Sequence, residues 1–287
     1  MGCLHSKLRG ALLLLTLACC GGVSDTGMDT AVIEDQVCDE LDKTQVAIIT
    51  EMWFARVNEG VTNSVNLDGD ELGCGQEDYV SPGGETGVDN SFGSLIPILE
   101  LTEGAAIEVY IQDLINKGEV LIMMEMEDLD DPYEDECVNV NLLRGLGEPT
   151  VGTDKIIESG QTFDRNLELP QSRVEAQVLS GGILEASPLE FRLPFQIFDI
   201  QLEFVLHGST LRFEQGVDGH HTGIVAGGLY INEIIDFVSG RDDIDIGDLI
   251  TDFVTSKADL WPDENGQCQG ISVVFEFKAK PAFFYLD

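Results

Sequence analysis

The stretch that decides the fold is IQLEFVLHGSTLRFE, residues 200–214. Apolar side chains occupy every second position in two runs, Ile200, Leu202, Phe204 and Leu206, then Leu211 and Phe213. Because successive side chains of a strand point to opposite faces, this period predicts a strand with one face on a core and the other in water. Asp218-Gly219 follows and suits the positive φ values of a tight hairpin, so we expect a second strand directly after it.

Other segments carry related patterns. Apolar residues alternate from Ile271 to Phe277 and again through residues 138–142, while residues 120–124 (VLIMM) are apolar on both faces, which is typical of a strand that begins in an interior. Helical spacing is limited to short segments, at 91–101, 105–117, 229–238 and 246–255. The sequence therefore predicts an α+β, mainly β fold, with an antiparallel sheet or sandwich-like core and a few short helices.

Composition excludes some classes of protein. The 287 residues include 53 Asp and Glu against 15 Lys and Arg, a formal charge of -38. Nucleic acid is excluded as a partner because neutralising phosphates needs clustered cations. A hydrophobic fraction of 43% with 24% charged residues excludes a wholly disordered acidic chain.

The first residues, MGCLHSKLRGALLLLTLACCGG, have the pattern of an export signal. Lys7 and Arg9 precede the apolar run at 11–18, and no acid occurs before Asp25. The run is too short to span a bilayer. We predict that residues 1–18 are a signal peptide that is removed after export.

Ala18-Cys19 places a small residue before a cysteine, and here the N-terminal segment resembles bacterial lipoprotein precursors. The resemblance implies cleavage before Cys19 and lipidation of Cys19, with Cys20 as the alternative acceptor. We expect residues 19–44 to form an acidic flexible tether and residues 45–287 a single β-rich domain, with candidate lobes 45–145 and 153–287. The expected location is the cell envelope, as an outer membrane lipoprotein facing the periplasm or the exterior.

Two other interpretations of the N-terminus stay open. MGCLHS also fits the myristoylation pattern, with Cys3 available for a second acyl chain, although the apolar run then has no role. An ordinary secreted protein cut after Ala18 fits as well. The remaining chain resembles uncharacterised acidic Gram-negative lipoproteins in two segments, GVDN at 87–90 and CQGIS at 268–272, and that resemblance implies no activity.

Export would leave an even set of cysteines in an oxidising compartment. They are candidates for two disulfides in any of three connectivities: Cys38, Cys74, Cys137 and Cys268. None forms a C-x-x-C pair, which disfavours a zinc ribbon or a thioredoxin-like site.

The sharpest motif is NLDGDELGCGQE, residues 66–77. Counted from Asn66, it resembles an EF-hand calcium loop. The candidate ligands at loop positions one, three, five, seven and twelve are Asn66, Asp68, Asp70, the carbonyl of Leu72, and Glu77. Alternating spacing of this kind aims hard oxygen atoms at one point, so calcium is the predicted cofactor.

The motif departs from the EF-hand pattern. Glu71 stands at position six, where a glycine makes the sharp turn, and SPGG at 81–84 leaves no room for an exiting helix. We therefore expect a calcium loop without the helix-loop-helix, with Asp78, Glu85 and Asp89 as alternative ligands. Three further acidic clusters, 128–136, 242–248 and 259–266, are typical of solvated loops.

Residues for catalysis are few. Downstream of the signal the only histidines are His207, His220 and His221. His220 and His221 adjoin the hairpin turn, where strand geometry sends them to opposite faces, so a surface-turn role is expected. His207 and Ser209 alternate onto one face, where packing is the expected role. The sequence contains no H-E-x-x-H, G-x-S-x-G or Walker A motif.

Together these features favour a lipid-anchored envelope or surface protein. Its domain would bind a small ligand or an unknown partner protein without catalysis and would hold a structural calcium ion. An apolar-ligand (lipid) carrier is the alternative, indicated by Gly181-Gly182 and Gly227-Gly228 beside apolar strands. A calcium-dependent extracellular hydrolase ranks last, because no motif supports it.

Overall fold

The computed structural model describes residues 44–101, 106–197, 200–216, 218–239 and 247–286. The strands in these ranges are β1 (Thr44–Phe54), β2 (Tyr79–Val80), β3 (Thr86–Val88), β4 (Ile122–Glu127), β5 (Asp135–Leu146), β6 (Gln161–Arg165), β7 (Ser172–Leu179), β8 (Ile183–Ile197), β9 (Ile200–Gln215), β10 (His221–Tyr230), β11 (Leu260–Pro262) and β12 (Cys268–Phe284). The α-helices are α1 (Ile96–Leu99), α2 (Ile107–Asn116), α3 (Ile231–Ser239) and α4 (Gly247–Ser256). None of the helices in these ranges has the length and apolarity needed to cross a bilayer.

Eight strands form one antiparallel sheet that closes on itself. The order around the ring is β1, β4, β5, β7, β8, β9, β10 and β12, and β12 pairs again with β1. Closure leaves the ring without a free edge strand. The predicted fold class is confirmed: the chain is mainly β and antiparallel with a few short helices, and its core is barrel-like.

The smaller strands lie at the margins of this ring. β6 runs parallel to the end of β12 and antiparallel to the end of β5, and β11 pairs with the start of β12. β2 and β3 form a separate two-stranded sheet. Strands from before and after residues 145–152 pair with one another, so the two candidate lobes share the ring.

The interior is built from one face of each long strand. The alternation predicted for β12 is confirmed, because its apolar side chains at every second position are buried: Ile271, Val273, Phe275 and Phe277. The Phe275 ring centroid lies 4.5 Å from that of Phe54 on β1 and 6.5 Å from that of Phe191 on β8. Opposite walls of the closed sheet therefore meet through aromatic side chains.

Turns and helices largely follow the sequence patterns. The predicted hairpin joins β9 to β10, and Gly219 has a φ of 75°. The helix expected at 105–117 is α2, which buries Ile111, Leu114 and Ile115. Gly118 follows with a φ of 78°, and an added Cβ there would lie 2.4 Å from the Gly147 carbonyl oxygen, so glycine is required on both counts.

The segment between β1 and α2 covers part of the outer face of β10 and β12. A small apolar cluster joins the segment to the sheet, formed by Ala55, Val65, Ile224, Ala226 and Val274. The half-buried Leu67 packs against this cluster. Burial of these side chains fixes residues 55–67 on the sheet, and this fixes the position of the acidic loop that follows.

The aromatic contacts in the interior predict a large cost for truncation. We expect Phe275→Ala to lower the free energy of unfolding by about 3–5 kcal/mol, because it removes a buried ring and leaves a cavity. Phe283→Ala on the same strand is the matched control, since that side chain is 56% exposed, and about 1 kcal/mol or less is expected. Urea denaturation measures both values. Equal losses for the two variants would contradict the assignment of Phe275 to the interior.

Candidate metal centre

Residues 66–77 form a series of tight turns. Three side-chain oxygen atoms accept backbone N–H groups of following residues: Asn66 from Gly69 at 2.6 Å, Asp68 from Asp70 at 2.9 Å, and Asp70 from Glu71 at 2.8 Å. The Leu72 carbonyl accepts the Gly75 N–H at 3.1 Å. Such bonds are typical of Asx turns. Local turn bonds therefore use several atoms that the calcium-loop pattern assigns to the ion.

The structure brings Asp68 together with Asp78 and Asp89. One carboxylate oxygen of each residue lies within 4.8 Å of the other two. Asp68 is exposed, Asp78 is half-buried, and Asp89 is 1% exposed. We call these residues the three-aspartate centre. Asp70 and Glu77, which the loop pattern assigned as ligands, are not members of this group.

Two of the alternative ligands, Asp78 and Asp89, are therefore members of the group, and the third is placed elsewhere. The Glu85 carboxylate lies 2.9 Å from the guanidinium of Arg212 on β9, with which it forms an ion pair. After residue 77 the chain enters β2, and no helix follows the loop.

Backbone hydrogen bonds hold Asp89 in place. Its Oδ2 accepts the Leu67 N–H at 2.6 Å, its own N–H donates to the Val65 carbonyl at 3.0 Å, and its carbonyl accepts the Ser64 hydroxyl. Its Oδ1 is buried and has no hydrogen-bond partner among the described residues. Asp78 Oδ2 is buried and unpartnered in the same sense. Unpaired buried carboxylate oxygens are costly unless a proton or a cation satisfies them.

The surroundings of both carboxyl groups favour the protonated form. Burial raises the pKa of Asp89 to about 8, although the Leu67 N–H bond lowers it, and the charge of Asp78 raises it further. Burial also raises the pKa of Asp78 to about 6, with smaller contributions from Asp68 and Asp259. Each ionised carboxylate at the centre therefore makes its neighbours harder to ionise.

Asp259 is a fourth acid beside the centre. The sequence predicts a solvated loop at residues 259–266, but Asp259 is buried. It is 1% exposed, and burial raises its pKa, against hydrogen bonds from Ser272 that lower it. Asp259 Oδ1 accepts the Ser272 N–H at 2.8 Å, and Ser272 Oγ accepts the Ser91 N–H at 2.7 Å. Ser91, which directly follows GVDN, thus contacts Ser272 of CQGIS, a contact that neither segment predicts by itself.

A disulfide links Cys74 with Cys268, with their Cα atoms 5.9 Å apart. It ties the acidic loop to the first residue of β12. Cys137 is also disulfide-bonded. Residues 1–43 lie outside the described ranges, and with them the predicted signal peptide, Cys19 and Cys38.

The histidines of the described residues are not members of the three-aspartate centre. His220 is exposed, but His221 is 3% exposed and packs on Phe213 with ring centroids 5.0 Å apart, so the surface-turn prediction is wrong for His221. Burial lowers the pKa of His221 to about 4. Ser209 Oγ donates to the Leu206 carbonyl at 2.8 Å. The His207 ring instead contacts Tyr230, with centroids 4.9 Å apart.

The donor set of the three-aspartate centre consists of hard carboxylate oxygens, the kind of ligand that Ca²⁺ and Mg²⁺ prefer. Comparison of the chain with protein-family models, curated proteins and solved structures finds no match. The geometry and the sequence patterns therefore carry the interpretation of this site.

The raised pKa of Asp89 predicts a pH dependence of stability when divalent cations are removed by a chelator. A carboxyl whose folded pKa is about 8, against about 4 when unfolded, keeps its proton in the fold and loses it in the unfolded chain. Its contribution to the free energy of unfolding therefore falls from about pH 4 to about pH 8. Asp89→Asn removes this loss, so we expect it to stabilise the domain by about 3–4 kcal/mol more at pH 8 than at pH 5.

Urea denaturation at the two pH values measures this difference. Asp252→Asn on the exposed side of α4 is the matched control and should show no pH-dependent change. An Asp89→Asn effect of the same size at pH 5 and pH 8 would show that this carboxyl titrates normally.

Proposed function

We propose that the chain is an exported, lipid-anchored envelope protein whose β-rich domain binds a ligand or partner without catalysis and is stabilised by calcium at the three-aspartate centre. One observation carries the calcium part of the proposal. Asp89 is almost fully buried, its Oδ1 has no hydrogen-bond partner among the described residues, and two further carboxylates lie beside it.

Calcium fits the residues that are present. Ca²⁺ accepts six to eight oxygen ligands in flexible geometry, whereas Mg²⁺ requires near-ideal octahedral geometry. Asp68, Asp78 and Asp89 would hold the ion, and backbone carbonyls and water would complete its shell. A bound divalent cation would satisfy the unpaired oxygens and offset the repulsion between the acids.

Export is supported by independent features. The leader pattern with Cys19 after Ala18 indicates a lipoprotein, and the Cys74–Cys268 disulfide supports an oxidising compartment, where such bonds persist. The strongly acidic composition also suits a partner that is not nucleic acid. The proposed site of action is the cell envelope, with the membrane as a partner through the lipid anchor.

One glycine pair cited for the alternative, an apolar-ligand carrier, has a packing role. A Cβ on Gly228 would lie 2.4 Å from the ring of Trp261, and a Cβ on Gly227 would lie 2.5 Å from the hydroxyl oxygen of Ser209. Trp261 therefore packs directly on the strand at Gly228. The second alternative, a hydrolase, gains no support from Ser209, because its hydroxyl donates to a backbone carbonyl.

The calcium site predicts a selective loss of affinity. We expect Asp78→Asn and Asp89→Asn each to weaken calcium binding at least about tenfold, or about 1.4 kcal/mol, because each removes a charged ligand. Glu77→Gln, which alters the EF-hand-like pattern only, and the distant Asp252→Asn should change affinity less than about threefold. Isothermal titration calorimetry measures these affinities on the chain without residues 1–19, which we call the soluble domain. Mg²⁺ is titrated in parallel.

Thermal unfolding provides the second readout. Calcium at about 100 times its wild-type dissociation constant should stabilise the wild-type domain by about 2.7 kcal/mol and Asp89→Asn by about 1.4 kcal/mol or less. Loss of binding in Glu77→Gln with retention in Asp89→Asn would contradict the three-aspartate centre in favour of the loop pattern. Absence of calcium binding by the wild-type domain would contradict both.

The export part has a separate test. Expression of the full chain in a Gram-negative host, followed by intact-mass analysis of the membrane fraction, should show a protein that begins at Cys19 and carries acyl chains. Cys19→Ala should abolish acylation, and Cys20→Ala should leave it intact. A product that retains Met1, or that is acylated at Gly2, would contradict export and favour the myristoylation pattern.

A further inference from the structure

A cavity of about 190 Å³ lies beside the start of β4 and the end of β5. Its apolar lining includes the buried side chains of Ile122, Leu142 and Phe191. An apolar protein cavity of about 150 Å³ admits benzene, so this cavity has room for a small organic group. The three-aspartate centre contributes no residue to its lining.

Arg144 also lines this cavity and is 8% exposed. It pairs with Ile122 across β4 and β5, in line with Leu142 and Val140, so its side chain starts from the apolar face of the sheet. Within the described ranges, no carboxylate lies within ion-pair distance of its guanidinium.

Only weak hydrogen bonds hold this guanidinium. Nη2 donates to the Glu119 carbonyl at 3.3 Å, and Nη1 donates to the Arg192 carbonyl at 3.5 Å. A guanidinium has five N–H donors, so most of its donor capacity stays available. Burial lowers the pKa of Arg144 to about 10, although the negative charge of Glu203 raises it.

Among the described residues, a buried arginine without a direct ion pair is unusual in this chain, where acids greatly outnumber bases. Other arginines of the described ranges have acidic partners: Arg56, Arg165, Arg173, Arg192 and Arg212. An arginine that is buried beside a cavity without such a partner lowers the stability of the fold unless an anion binds there. Local sacrifices of stability of this kind are typical of binding sites.

We propose that Arg144 and this cavity bind an organic monocarboxylate with a small apolar group, the carboxylate on the guanidinium and the apolar group against Ile122, Leu142 and Phe191. The planar fork of an arginine matches a carboxylate with two parallel hydrogen bonds. A pocket with apolar walls and a few placed polar groups is the usual form of a small-molecule site.

The acids around the cavity restrict the charge of the ligand. Glu190 and Glu203 both line it, and both pair with the Arg192 guanidinium, at 2.7 and 2.9 Å. Glu119, which is exposed, adds a further negative charge at the rim. These charges repel multiply charged anions such as phosphate, so a singly charged carboxylate is the better fit.

This inference names the ligand class for the ligand-binding part of the proposed function, and it does not depend on the metal centre. Titration of hexanoate into the soluble domain, followed by calorimetry, tests it. Hexylamine reverses the ligand charge, hexan-1-ol removes the charge, and inorganic phosphate removes the apolar group. The same titration with a chelator and with saturating calcium separates the two sites: hexanoate should bind equally tightly under both conditions.

We expect hexanoate to bind at least about tenfold more tightly than each of the three comparison ligands. Arg144→Met should weaken hexanoate binding at least about tenfold, while its melting temperature stays equal or rises because a buried unpaired charge is removed. Arg144→Lys keeps the charge without the fork and should weaken binding about fivefold, and it gives the same test should the methionine variant fail to fold. Arg173→Gln, which removes an exposed arginine of β7, is the matched control and should bind like the wild type.

Three results would overturn the proposal: no hexanoate binding by a folded wild-type domain, equal binding by the Arg144 variants, or equally tight binding of hexylamine or phosphate. If hexanoate fails to bind while calcium binds, this inference alone is wrong. If calcium fails to bind while hexanoate binds, the metal centre alone is wrong.

Discussion

The pairing of β12 with β1 on one side and β10 on the other closes the sheet, and the other features depend on this closure. One face of β12 sends Phe275 into the interior, where it meets Phe54 from the neighbouring strand. The opposite face carries Val274 and Ser272, which contact the segment that follows β1. A single strand therefore contributes both to the core and to the outer face on which residues 55–67 and the acidic loop are fixed.

Packing on this outer face brings acidic side chains close together. The Leu67 N–H holds the Asp89 carboxylate, Ser272 holds Asp259, and the Cys74–Cys268 bridge fixes the loop beside β12. Buried carboxylates held near one another lower stability, and natural proteins keep such arrangements mainly at functional sites. Arg144 is likewise an ionisable side chain buried at a cost in stability, but it is a base and lies at a cavity on another part of the sheet. In both places, the fold buries an ionisable side chain that has no oppositely charged group within ion-pair distance among the described residues.

Much of the fold could be predicted from the sequence, because a period of two specifies which face of a strand is buried. The interior side chains of β12 and the hairpin at Gly219 follow from such local rules. The group could be predicted only in part: spacing selected Asp68 and named Asp78 and Asp89 only as alternatives beside Glu85, because the tertiary contacts that bring the three together are not encoded in any local pattern. Arg144 left a readable signal, since it follows Val138, Val140 and Leu142 at alternate positions on an otherwise apolar face of β5.

We propose that the fold assembles Asp68, Asp78 and Asp89 into a cation site. Anomalous X-ray diffraction from crystals of the soluble domain grown with calcium, and then soaked with a lanthanide that replaces it, tests this claim most directly. We predict one strong anomalous peak about 2.3–2.6 Å from a carboxylate oxygen of each of the three residues. A peak coordinated by Asp70 and Glu77 instead, or no peak beside Asp89, would contradict the account.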